Sequence, residues 1–147
     1  MQPVEHLHKE IDNIQACIVR MSTQSHNCKG WLVAIIIAAL ALLPANIQRH
    51  NICLIIGLAT LCFWWMDAYY LQREKLYRWK YEWVVSNRLT GNLEFLYDLN
   101  PMNKSMWNGH TKEEISMYKL MLWNPSTTFF YGGIFLFAAV MYCKYTH

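Results

Sequence analysis

Charge is scarce in this chain. Only 16% of its 147 residues are Asp, Glu, Lys or Arg, against about a quarter in soluble domains. Its five cysteines, Cys17, Cys28, Cys53, Cys62 and Cys143, form no C-x-x-C or other ligand spacing, which argues against a disulfide scaffold and against a thiolate metal site. The six histidines are equally scattered. His6 and His8 are the one close pair, and no acidic or thiol partner stands at ligand spacing from them, so no metal is expected. There is no Walker motif, no G-x-G-x-x-G, no H-E-x-x-H and no nucleophile elbow. The expectation is therefore a protein that is not an enzyme and needs no cofactor. A cleaved leader is not expected either, since the first thirty residues are polar and the first apolar run begins only at Trp31.

Apolar residues make up 54% of the chain, with seven Trp and nine Tyr. A small soluble all-α protein is the alternative, but a domain of this size cannot readily surround several fully apolar helices. The stretch Cys62–Tyr81, CFWWMDAYYLQREKLYRWKY, is the most informative. It passes from an apolar run through Trp, Asp and Tyr into a dense cationic segment. Trp and Tyr prefer the headgroup layer, and Lys and Arg the cytosolic side of it. The fold class expected is an all-α membrane protein with three transmembrane helices and a cytosolic helical layer.

Residues 1–30 form the first part of that layer. Val4, Leu7, Ile11, Ile14, Ile18 and Met21 recur at threes and fours, which predicts an amphipathic helix over 3–24, and Ser22–Gly30 reads as a polar turn. The first span is expected over 31–47, continuing through Pro44 to reach a sufficient length. A tight connection at Gln48–Asn51 leads to the second span, 51–66. No Pro or Gly occurs between Leu58 and Leu89, so one helix is expected from about 50 to 88. The rest of 67–126 is read as cytosolic: a turn at Gly91-Asn92, a short helix or strand over Leu93–Leu99, an irregular stretch around Pro101, and a helix from Thr111 to Trp123. Thr111 and Glu114 have capping-box spacing, and Asn124-Pro125 ends or kinks that helix. The third span and a short external tail occupy 127–147.

All but Arg49 and Lys144 of the thirteen Lys and Arg residues fall in the N-terminal segment or between spans two and three, as does every Asp and Glu. The positive-inside rule then places the N-terminus in the cytoplasm and the C-terminus outside, in a bacterial inner membrane. Gly57, Thr60, Gly132 and Gly133 are candidates for close helix contacts, and a homo-oligomer is expected.

At the membrane boundary Asp67, Tyr70 and Glu74 share one helical face. A carboxylate there is costly unless paired or wetted, so Asp67 is either a structural partner for an adjacent helix or part of a polar vestibule. The run Arg73, Glu74, Lys75, Arg78, Lys80, Glu82, Arg88 has three readings: a solvated face with intrahelical pairs, a surface that stacks a base and holds phosphates, or a phospholipid-head stripe. The ligand-binding candidates are Arg73, Tyr77, Arg78, Trp79 and Lys80. Arg73, Tyr77 and Lys80 share a face, whereas Arg78 and Trp79 need a second helix to converge with them.

Phe63–Val84, FWWMDAYYLQREKLYRWKYEWV, resembles a pattern of small bacterial multi-span proteins. In these a span ends in aromatic residues followed by Asp-Ala-Tyr/Phe-Tyr, a Leu, an acidic-basic pair, an aromatic and a further basic residue. The matching positions are Trp64, Trp65, Asp67, Ala68, Tyr69, Tyr70, Leu71, Arg73, Glu74, Tyr77 and Arg78. Such proteins look like the membrane effectors of bacterial anti-phage systems encoded beside nucleotide-signal synthases. The resemblance implies an effector that oligomerises and disrupts the membrane under control of a cyclic oligonucleotide, with the bilayer as partner and no DNA or RNA polymer. A non-enzymatic accessory or scaffolding subunit of a larger membrane complex is the alternative.

Overall fold

The computed structural model describes residues 3–41 and 48–146, and every regular element among them is helical. Helix α1 spans Pro3–Ala41, α2 Arg49–Leu89, α3 Met117–Trp123 and α4 Pro125–Thr146, with 3₁₀ turns at Lys104–Met106 and Lys112–Ile115. The 41 residues of α2 reach about 60 Å at the α-helical rise, about twice the thickness of a hydrocarbon core. The unbroken helix expected over 50–88 is therefore present, and Gly91 at φ 81° turns the chain away after it. There the Gly91 and Asn92 amides donate to the Arg88 and Asn87 carbonyls, satisfying last-turn acceptors.

The polar turn expected over Ser22–Gly30 is absent: α1 runs straight through it. Ile14, Ser25, Cys28, Leu32 and Ala39 are buried, with Ile18, Met21 and Ile36 packed alongside, so the three-and-four spacing never lapses. The stripe merely changes from apolar to polar where α2 offers Asp67. Helices α1 and α2 are antiparallel, since Glu10 meets Arg88 and Ser25 meets Asp67. Helix α4 runs antiparallel to α2 as well, with Tyr131 on Trp64 and Tyr142 on His50.

Two helices are long and apolar enough to cross a membrane, α2 and α4. Only 28% and 17% of their apolar stretches are buried, whereas the core helix of a soluble domain is mostly buried. Leu54, Ile55, Leu58, Leu61, Phe135, Leu136 and Phe137 stand exposed, as does the α1 side at Trp31, Val33, Ile37 and Leu40. The end of the first expected span, with Pro44, lies outside the described residues. Of the expected connection at Gln48–Asn51, Gln48 caps α2 and the helix has begun at Arg49.

The core of the polar half gathers on α2. One cluster joins Ile14 of α1 to Tyr77, Trp83, Val84 and Met106; another joins Leu76 and Trp79 to Trp107 and Ile115. Leu93–Leu99 is neither helix nor strand but a series of turns, in which Phe95 and Tyr97 take left-handed φ values of 56° and 58°. Such backbone is costly for bulky residues and persists where surroundings over-determine it. Here Phe95 packs on Trp83, and the Tyr97 amide donates to Glu10.

The helix expected over Thr111–Trp123 is split. The Thr111 amide donates to Glu114 Oε1 at 2.9 Å, as the capping spacing requires. The turn stops at Ile115, whose carbonyl accepts from Gln72 Nε2 at 2.8 Å, and Ser116 is extended before α3 begins. Pro125 then occupies the first position of α4, where its missing N–H costs nothing, and Thr127 and Thr128 hydroxyls donate to the Leu120 and Met121 carbonyls.

Candidate functional site

At the middle of α2, the Asp67 side chain is fully buried. Its Oδ1 accepts from the Ser25 hydroxyl, and its Oδ2 faces Lys29 Nζ at 3.3 Å in an ion pair without a well-formed hydrogen bond. Lys29 also donates to Ser126 Oγ of α4 at 3.1 Å. One ammonium group thus ties α1 to both apolar helices beside a buried carboxylate. Below it, Tyr131 stacks on Trp64 with ring centres 6.2 Å apart, and the Trp64 indole N–H donates to the Met121 carbonyl at 3.0 Å. The Tyr131 hydroxyl is buried beside Asp67, without a well-formed hydrogen bond among the described residues. Burying an ion is unfavourable unless the pairing is good, so this cluster locates the polar boundary between the two halves of the molecule.

The face expected to unite Asp67, Tyr70 and Glu74 does not act as a unit. Asp67 turns to α1, Tyr70 lines a surface groove, and Glu74 pairs with Arg78 at 2.7 Å. The partners of Asp67 are a lysine and a serine of α1, with the Tyr131 hydroxyl of α4 beside them. The 3,4-period continuing through Ser25, Cys28 and Leu32 was the signal that α1 would supply the lysine and the serine.

The five ligand candidates are dispersed as well. Lys80 is 1% exposed, donates to the Asn100 carbonyl at 3.0 Å and sits 3.5 Å from Asp98. Burial lowers the Lys80 pKa from its ordinary value, with Asp98 opposing the shift. Burial alone raises that of Asp98, but hydrogen bonds from Asn103 and the Asn100 amide, together with Lys80, outweigh it and hold the carboxyl below its usual range. Lys80 is a loop anchor with its donors engaged. Trp79 is buried, stacked on His110 with ring centres 4.5 Å apart and with Trp107 tilted against it at 5.8 Å. Arg78 is exposed but clasped by Glu74 at 2.7 and 3.0 Å.

Arg78 and Trp79 line one groove with Lys75, Glu82, Glu114 and Lys119, and Arg73 and Tyr77 line another. The second is an open groove of about 430 Å³, shared with Met21, Tyr69, Tyr70 and Pro101. The Arg73 guanidinium lies over the Tyr69 ring, 5.0 Å from its centre. Burial raises the Tyr77 pKa, the neighbouring Cys17 thiol adds to the rise, and Arg20 and Arg73 only partly offset it.

One strong pair was not legible in the sequence. Glu10 and Arg88 form a bidentate bridge at 2.9 and 3.0 Å, and Arg88 also donates to the Asn92 and Glu94 carbonyls. The pair joins the two ends of the polar layer across 78 positions.

Of the expected helix contacts, Thr60 is buried with its hydroxyl donating to its own Ile56 carbonyl at 2.7 Å. Gly132 approaches Trp64, its absent Cβ standing 3.9 Å from the ring, whereas Gly57 and Gly133 face open space. No group of three or more metal-ligating side chains occurs among the described residues. Comparison with protein-family models, with curated proteins and with solved structures finds no match.

Proposed function

We propose that this chain is a bacterial inner-membrane effector of anti-phage defence. In this reading three spans, 31–47 and the apolar parts of α2 and α4, lie in the bilayer. The polar half is cytosolic and responds to a nucleotide-like anionic signal, and copies associate to breach the membrane. The supporting observation is the continuity of α2 through a single locked boundary. One rigid helix carries both the lipid-like surface and the polar layer, and Lys29 joins Asp67 to Ser126 where they meet. A displacement of the polar layer is therefore delivered to α4 without an intervening hinge. Half-buried Gly57 and exposed Gly133 leave small-residue surfaces for a second copy. Inducible expression with a membrane-potential dye tests the reading. Depolarisation and growth arrest are expected, at least under phage challenge with the neighbouring genes. A culture that keeps its potential in every condition overturns it.

A second reading, as an accessory subunit of a larger membrane complex, draws on Tyr118 and Trp123. Both are about 80% exposed on α3, outside the lipid-like halves, and large exposed aromatics suit a protein interface. A hetero-partner recovered in stoichiometric amount, and lost with Trp123→Ala, favours this alternative.

A further inference from the structure

Three cations in the polar half of α2 are neutralised by carboxylates: Arg78 by Glu74, Lys80 by Asp98 and Arg88 by Glu10. Arg73 pairs with none of the described carboxylates, and its Nε is buried without a hydrogen-bond partner. Its one neighbour of note is the Tyr69 ring. On the α1 side, Arg20 precedes the groove residue Met21 and has only a 4.0 Å approach to Cys17 Sγ. Arg73 lines this aromatic-walled groove, and Arg20 is exposed one residue before Met21, which lines it from α1. Like charges brought together near a protein surface repel, and a bound anion reverses the sign of that interaction.

We propose that this groove is a phosphate-ester site, with Arg73 and Arg20 donating to the phosphate and Tyr69, Tyr70 and Tyr77 walling the organic part. A guanidinium offers planar paired donors to phosphate oxygens, and phenol rings supply stacking or apolar faces to the substituent. The proposal rests on the ligand-controlled membrane reading and narrows its site. Arg73 and Tyr77 stay, Arg20 and two tyrosines join, and Arg78, Trp79 and Lys80 leave, being engaged elsewhere. Arg73 lies six residues beyond Asp67, about 9 Å along the helix. At that depth a phosphate can arrive from solution or from a lipid headgroup.

The full chain in phosphatidylcholine nanodiscs is titrated calorimetrically with 3′,3′-cyclic di-AMP. In parallel, nanodiscs containing phosphatidylglycerol are analysed by native mass spectrometry for retained anionic lipid. Binding in at least one arm is expected, and the arm that shows it identifies the source. Arg73→Gln weakens that binding by about tenfold or more, the scale of a charge-assisted hydrogen-bonded contact, and Arg78→Ala leaves it unchanged. Arg20→Gln weakens it too. Arg20 is exposed, so this second variant keeps the test decisive where Arg73→Gln lowers the melting temperature. No binding in either arm, or binding that survives both arginine substitutions, overturns the site. The membrane-potential assay separates the two readings. Depolarisation without phosphate binding removes the site and leaves the effector, whereas Arg73-dependent binding without depolarisation removes the effector and leaves the site.

Discussion

Buried charges in this molecule are held one by one, and their removal is unequal. Glu10 and Arg88 are both nearly inaccessible, and the arginine also serves two loop carbonyls. Glu10→Ala strands that cation and is expected to cost about 3–5 kcal/mol, the scale for breaking a buried pair. Thermal unfolding in mild detergent measures it, and a loss under 1 kcal/mol, about the size of an exposed pair, contradicts this account of the loop. Asp98 has a sign that pH reveals. Its folded pKa lies below the ordinary 3.8, so its stabilisation is complete above that value and disappears as pH falls through the folded pKa. The melting temperature is expected to drop between about pH 5 and pH 2, and by less in Asp98→Asn. Parallel curves for the two proteins would show that Asp98 contributes nothing to acid sensitivity.

At the scale of elements, the continuity of α1 is the feature with the sharpest consequence. Gly30 lies inside the helix with open space where a Cβ would stand. Gly30→Ala is therefore expected to raise stability by about 0.5–1 kcal/mol, because alanine loses less backbone freedom in a helix. A turn at Ser22–Gly30 would make the same substitution neutral or harmful. The clamp at Asp67 offers a double test. Lys29→Met leaves a fully buried carboxylate without its cation, with the Ser25 and Tyr131 hydroxyls as neighbours, and costs about 3–5 kcal/mol. Adding Asp67→Asn to Lys29→Met removes the stranded charge and is expected to recover much of that loss. Additive penalties would mean that the two side chains do not interact. Much at this scale was legible: the long α2, the Gly91 turn and the break at Asn124-Pro125 follow from where Pro and Gly fall. The split at Ser116 was not legible, because it depends on Gln72, over 40 positions away, capturing the Ile115 carbonyl.

For the whole molecule, the proposed orientation is tested by thiol chemistry. Cys143 is exposed near the end of α4, and Lys9 is exposed on α1. With the other cysteines replaced, a membrane-impermeant maleimide is expected to label Cys143 in intact cells. Lys9→Cys, likewise as the lone thiol, should react only after lysis. Labelling of that position in intact cells would place both ends on the same face and remove the third span. The sequence by itself determined that the chain is helical and that α2 and α4, two of the three spans expected from it, are long and apolar enough for a bilayer. Those properties depend on local spacing and composition, which need no partner to be read. Only the tertiary structure decided which charges are spent and which remain available. Lys80, Arg78 and Arg73 look alike along one helix, yet the first is enclosed by a returning loop and the second is claimed by Glu74. The third is left beside the tyrosines, because whether a cation is neutralised depends on what the distant chain brings within a few ångströms of it.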